Sequence, residues 1–302
     1  MSVPRQIIPG RVYMVTRRCT QRQFLLRPDA ATTNAFLYCL GLAAAGANMG
    51  VVAFLAHSNH HHTIVVDRDG RMPEFLERFH KLLAKHQNAL RGRWENFWAS
   101  EATSVVELSA ADDVLAKMTY ALTNPVKDHL VHRAHHWPGA SSLHANLDGR
   151  AICASRPRRF FRPDGDLPKS VTFACVRPPG FEQLTREAWQ AVVADRIREA
   201  EQAAAVARDK QGLRVLGRAR VLDQRPTDRP TSREPRRQLS PRVASRNKWG
   251  RIEALHRNKA FIAAYQRART LWQAGYEAIF PTGTYWLRRF AGVPTADDTA
   301  PA

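Results

Sequence analysis

Between Gly10 and Arg18, Val12, Met14 and Thr16 alternate with Tyr13 and Val15, a period of two that predicts a strand with two different faces. Asp29 stands at an N-cap position ahead of a helix from Ala30 to about Ala45. Two strands follow, Val51 to Ala56 and His60 to Val66, joined by a short polar connection as a hairpin. Pro73 opens a helix in which Phe75, Leu76, Phe79, Leu82, Leu83 and Leu90 recur at helical spacing, with His80 and His86 expected to face solvent or make cap contacts. Ser104 to Leu108 reads as a short strand. Ser109, with Asp112 three residues on, predicts a capping box for a further helix that Pro125 should end at Asn124. The order β-α-β-β-α-β plus an extra helix predicts an α+β fold, a ferredoxin-like antiparallel sheet with helices on one face.

Beyond residue 147 the pattern changes. Arg156-Pro157-Arg158-Arg159 and Arg162-Pro163 read as loop, Thr185 to about Lys210 and about Asn258 to Ala274 as helices, and Phe280 to Trp286 as a closing turn. The chain divides into a first domain over 1–147 and a basic, mostly helical C-terminal extension over 148–302 with a partly disordered linker. Ala35 to Ala56 is nearly free of strongly polar residues, but Gly41, Gly46, Asn48 and Gly50 interrupt it, so it reads as buried helix, turn and strand instead of a membrane span.

Charge narrows the function. The 302 residues carry 46 Lys+Arg against 27 Asp+Glu, a net charge of +19, which attracts polyanions and above all nucleic acid. Arg208 to Lys259 alone holds 16 Lys+Arg and 5 Asp+Glu, +11 of that total. Basic residues interleaved with an aromatic there suit a phosphate backbone with base stacking, and a solvated linker fits the same composition. Cys19, Cys39, Cys153 and Cys175 are too few and too scattered for a disulfide framework, and none forms a C-x-x-C pair, which argues against a cysteine zinc site. Met1 to Gln6 lacks the features of a signal peptide, so the expected location is cytoplasmic.

The candidate chemistry begins at Asn59-His60-His61-His62. Along a strand His60 and His62 project together while His61 projects to the other face, and two imidazoles so fixed form half of a divalent-metal site. On the helix ending near Asn124, the stripe Val114, Leu115, Met118, Ala121 and Leu122 is the core side; Tyr120 lies roughly opposite, with Asn124 beside it one turn on. A tyrosine on a helix usually packs, but here the core side is already filled, which leaves an available phenol. A phenol with an ordinary pKa of about 10 attacks a phosphodiester when a divalent cation polarises the phosphate. Two histidines and a neutral amide oxygen suit Mg²⁺ or Mn²⁺. His129, His132, His135 and His136 have no cysteine or carboxylate partners at ligand spacing, so no structural metal is expected among them.

Asn59-His60-His61-His62, then Tyr120-x-x-x-Asn124-Pro125-Val126-Lys127, His136-Trp137-Pro138 and Ser141-Ser142, resemble the single-tyrosine HUH transposases, and more narrowly the REP-associated tyrosine transposases of bacteria. Val12 to Arg18 and Gly92 to Trp98 match in order, so the resemblance covers about residues 8 to 145. It implies the same ferredoxin-like sheet, a metal held by His60, His62 and Asn124, and Tyr120 as the nucleophile that attacks single-stranded DNA, joins its 5′ phosphate and releases a 3′ hydroxyl. Two positions depart from the family pattern: His61 replaces a bulky apolar residue, and His57-Ser58 replaces a Met-Pro. The expected activity is therefore a metal-dependent transposase or endonuclease that cleaves and rejoins hairpin-forming DNA. DNA contacts are expected from Arg17, Arg18, Lys117 and Lys127, and from Arg236, Arg237, Arg242, Lys248 and Trp249. The partner is single-stranded or hairpin DNA, a homodimer is allowed, and no membrane is involved. The alternatives are a metal phosphodiesterase that uses water and a non-catalytic nucleic-acid-binding platform. The platform needs exposed aromatics on central strands, for which Tyr13 is the obvious candidate.

Overall fold

Alternation along the first strand sets the layers of the molecule. In β1 (Arg11–Arg18), Tyr13 and Val15 are buried in one hydrophobic cluster, Val12 and Met14 in another on the opposite side. The structure is a computed structural model and describes residues 3–232 and 241–297. After β1 come α1 (Ala30–Gly46), β2 (Met49–Ala56), β3 (His60–Asp67), α2 (Met72–Leu90) and β4 (Ser104–Leu108). The strands lie in the order β2-β3-β1-β4 and pair antiparallel, the ferredoxin-like order expected. The Asp29 side chain accepts from Thr32 N at 2.7 Å and starts α1. The Asp67 carboxylate accepts from the backbone N–H groups of Arg71 and Met72 at the start of α2, with Pro73 in its first turn.

Helices α1 and α2 cover one face, as expected. The second face is covered too, by the extra helix α3 (Ala111–Lys127) and by α5 (Arg186–Lys210), whose Trp189, Val193, Ile197 and Ala204 join the cluster of Val12 and Met14. Tyr13 is buried, so it offers no stacking surface for a nucleic-acid platform. Between α3 and α5 run α4 (Leu143–Asp148) and a hairpin, β5 (Ile152–Ser155) with β6 (Ser170–Phe173), that packs on α1. A Cβ on Gly41 would stand 2.8 Å from the Phe173 ring, so glycine is what lets β6 lie this close to α1. Then follow α6 (Arg218–Asp223), β7 (Val243–Ala244), α7 (Lys248–Gln273) and α8 (Trp286–Ala291). β7 extends the sheet by pairing parallel with β4. The change of pattern at residue 147 therefore marks no break in packing. The edge of β2 is closed by the Trp137–Asn146 segment, with Trp137 Nε1 donating to Ala56 O at 3.0 Å and Asn146 Nδ2 to Val52 O at 2.8 Å.

Several local expectations are corrected. The capping box does not form: α3 starts after Ala110 without a side-chain cap, and Asp112 and Asp113 occupy its first turn, where acidic charge suits the helix dipole. Pro125 does not end α3, which continues to Lys127; buried Val126 holds the last turn against the core, and Asp128 N bonds Asn124 O at 2.9 Å. His80 and His86 are buried, not solvent-facing. Helix α7 starts at Lys248, well before Asn258, because the Asn247 side chain caps Trp249 N and Gly250 N. Part of the expected linker, with Arg236 and Arg237, lies outside the described residues. Among the described residues no helix is long and apolar enough to cross a membrane.

Candidate active site

The start of β3 divides its three histidines between two faces. In register, Thr16 lies opposite His62 and Arg17 opposite His61. His60 and His62 point to the α3 side, with ring centres 4.9 Å apart. Each is held at Nδ1: His60 Nδ1–H donates to Asn59 Oδ1 at 2.7 Å, and His62 Nδ1–H donates to Thr16 Oγ1, also at 2.7 Å. The Asn124 amide nitrogen donates to His62 Nε2 at 3.2 Å, which places the lone pair of His62 on that nitrogen. Both rings thus turn an unprotonated Nε2 away from their anchoring partners. Burial, with Arg18 adding repulsion, lowers the His60 pKa to about 4; burial followed by the neighbouring histidines holds His62 well below its ordinary value. Both are neutral imidazoles at pH 7.

Tyr120 comes to this pair from α3. Its ring centre is 5.4 Å from that of His62, and 37% of the residue is exposed. Because α3 continues through Pro125, residues 113, 117, 120, 124 and 127 form one stripe at helical spacing. The stripe places the Lys117 and Lys127 ammonium groups 5.7 and 5.3 Å from the Tyr120 ring centre. Burial, then the Asp128 charge, raises the Tyr120 pKa, while a hydrogen bond with Asn124 opposes the rise. The phenol is protonated at neutral pH. Among the described residues no three histidine, cysteine, aspartate or glutamate side chains are grouped to hold a cation. The donor set here is therefore two imidazole nitrogens and one amide, whose oxygen replaces its nitrogen by rotation about the terminal bond. That set fits a divalent ion with open positions.

Outside Tyr120 runs a groove of about 810 Å³. One wall is the α3 stripe. The opposite wall is an alanine face of α5 formed by Ala200, Ala203, Ala204 and Ala207, and Arg246 and Arg251 stand at one end. Short side chains leave width for a strand of nucleic acid, and the cations match its backbone.

The other expected contact residues are spread over the molecule. Arg18 ends β1 beside His60. Lys248 and the exposed Trp249 begin α7, with the ammonium 5.7 Å from the indole centre. Arg242 is partly buried and donates to Pro4 O and Val3 O, and Arg17 faces the opposite side of the sheet from Tyr120. His61 also faces that side, in ring contact with Phe36, Phe79 and Trp98, so it fills the space of an apolar core residue. The sequence pattern assigns no role at the site to Thr16, Asn59 or His57. Thr16 was legible, since it shares the face of Val12 and Met14 by alternation. His57 stacks on His60 at 4.5 Å, with its Nε2 buried and unpartnered; only the hairpin fold brings it there.

No family model and no curated protein matches the chain. Among solved structures the chain is similar to a REP-associated tyrosine transposase bound to a REP hairpin, with 18% identity and a TM-score of 0.41 over 49% of this chain and 85% of that one. It is also similar to a candidate transposase from Deinococcus radiodurans r1, with 14% identity and a TM-score of 0.30 over 41% of this chain and 97% of that one. Both likenesses are distant.

Proposed function

We propose that this chain is a metal-dependent endonuclease and strand transferase for single-stranded DNA, with Tyr120 as nucleophile and a divalent cation, Mg²⁺ or Mn²⁺, on His60, His62 and Asn124. The observation that carries this reading is the convergence of a half-exposed phenol that lines a basic groove with two neutral imidazoles anchored at Nδ1 and an amide that meets His62 Nε2. A bound cation supplies charge stabilisation on the scissile phosphate. Thr16 and Asn59 hold the imidazoles in the tautomer that presents Nε2. Lys117 and Lys127 attract the phosphate to the face of the tyrosine ring. The Tyr120 oxygen forms a bond to phosphorus, the bond from phosphorus to the 3′ oxygen breaks, and the phenolic proton ends on that leaving oxygen. The products are a 5′-phosphotyrosine and a free 3′ hydroxyl, and the reverse attack by a 3′ hydroxyl rejoins a strand. The basic lining of the groove and the +19 of the whole chain support a nucleic-acid substrate, and hairpin-forming single strands are the class that the resemblance of the Asn59–His62 and Tyr120–Asn124 motifs implies.

The test is a denaturing gel of 5′- and 3′-labelled hairpin DNA with full-length protein and Mn²⁺. Wild type forms a covalent adduct on the fragment bearing the 5′ phosphate. Tyr120→Phe, which removes a single oxygen from a half-exposed side chain, keeps the fold and forms none. An adduct that persists in Tyr120→Phe places the nucleophile elsewhere.

A further inference from the structure

Three arginines converge on an apolar cavity on the face of the sheet away from Tyr120. The cavity, of about 980 Å³, lies between α2, the N-terminal segment, α7 and the turn before α8, next to β1 and β4. Trp98, Phe261, Tyr265 and Trp286 are among its walls, and Arg5, Arg17 and Arg242 reach it from three separate elements. Its size lies near the top of the range of about 300–1,000 Å³ usual for sites that take small ligands.

These cations are only weakly balanced from within the protein: the Glu107 charge that favours Arg5 is itself paired with Arg11 and Arg257. Among the described residues, Arg242 donates to the backbone carbonyls of Pro4 and Val3. Arg17 Nε is buried with no hydrogen-bond partner, and among the described residues neither Arg5, Arg17 nor Arg242 has a carboxylate in ion-pair reach. Glu77, the acid in the lining, pairs with Lys81 at 3.9 Å. A part-buried guanidinium without a close counter-charge suits an anion from outside the protein.

Arg17 is also held in place. Its Nη1 donates to His80 Nδ1 at 3.1 Å, His80 Nε2–H donates to His61 Nε2 at 3.1 Å, and His61 Nδ1–H donates to Thr63 Oγ1 at 3.0 Å. A guanidinium can only donate, so the direction of every bond in the chain follows from Arg17. Its guanidinium carbon stands 5.4 Å from the centre of the Trp98 ring. Burial lowers the pKa of all three arginines, and Arg242 adds repulsion at Arg5.

We propose that this cavity is a second nucleotide site, which takes a base against its aromatic walls and the attached phosphate on Arg5 and Arg17. The aromatic walls suit a planar base, and arginine forks suit phosphate oxygens. The site lies across the sheet from Tyr120, so it stands or falls separately from the chemistry proposed there.

Isothermal titration of the full-length protein in EDTA, which silences metal-dependent chemistry, tests it with dAMP, deoxyadenosine, inorganic phosphate and a deoxyadenosine tetranucleotide. The expected result is binding of dAMP and the tetranucleotide, with deoxyadenosine and phosphate at least about tenfold weaker. Arg5→Gln and Arg17→Gln each weaken dAMP by about tenfold or more, as loss of a charged hydrogen bond requires. Tyr120→Phe binds dAMP as wild type does. A tetranucleotide much tighter than dAMP identifies a DNA strand as the natural occupant, and equal affinities identify a free nucleotide. Arg5 lies outside the sheet, so Arg5→Gln keeps the test decisive if Arg17→Gln does not fold. Absence of dAMP binding, insensitivity to Arg5→Gln, deoxyadenosine binding as tightly as dAMP, or loss of binding in Tyr120→Phe would each overturn the proposal.

Discussion

The two faces of β3 put the same side chain to opposite uses. On the α3 face, His60 and His62 are anchored at Nδ1 beside a half-exposed tyrosine, and the Nε2 of His62 meets the rotatable amide of Asn124. On the α1–α2 face, His61 uses both ring nitrogens within the protein, to Thr63 and His80, and is enclosed by aromatic rings. The residue type does not decide which histidine is available for chemistry. What the second nitrogen meets decides it, a rotatable amide at His62 and the buried ring of His80 at His61, and strand alternation decides which it meets.

The sharpest contrast comes from alanine at adjacent positions. His60→Ala or His62→Ala removes a proposed ligand and should cost on the order of a hundredfold or more in Mn²⁺ affinity, with adduct formation falling in parallel. His61→Ala should leave Mn²⁺ affinity near wild type but lower stability by about 2–4 kcal/mol, because it opens a cavity and leaves His80 without its acceptor. Titration calorimetry with Mn²⁺, alongside urea unfolding, reads both. Equal loss of metal affinity from all three changes would remove the distinction between the faces.

Next in size is the anchoring of the lone pairs. Thr16→Val keeps shape but removes the acceptor for His62 Nδ1–H, and should weaken Mn²⁺ by about ten- to a hundredfold, with Thr16→Ser restoring most of it. Asn124→Ala should weaken Mn²⁺ less than either histidine change, since an amide is the weaker donor. If Thr16→Val binds Mn²⁺ like wild type, the tautomer is fixed by something other than β1.

The smallest expected effect lies in the groove. Lys127→Gln and Arg251→Gln should each flatten the slope of log affinity against log salt by about 0.7 for single-stranded DNA, with no change in metal affinity. Anisotropy over a salt series measures this, and an unchanged slope in both variants would route the strand elsewhere.

The sheet was legible because alternation sorts its core residues between two buried faces, so β1, β3 and β4 could be bounded to within a residue. The Tyr120–Asn124 stripe was legible for the same reason at helical period. What escaped depends on tertiary packing. Pro125 reads as a stop, but buried Val126 carries the helix onward and brings Lys127 to the Tyr120 ring. His80 and His86 read as surface residues because they are polar, yet both belong to the buried face of α2. β7 is two residues long, too short for any period to show. The alanine-rich α5 was legible as a helix, but nothing in its sequence says that it forms a wall of the groove.

The central claim is that chemistry resides on the α3 face, at Tyr120. Tandem mass spectrometry of the protease-digested covalent adduct, formed on hairpin DNA with Mn²⁺, tests it most directly. The account predicts a nucleotide joined through its 5′ phosphate to Tyr120, formed with Mn²⁺ and absent in EDTA and in His62→Ala. An adduct mapped to another residue, or one that forms as well in EDTA, would contradict it.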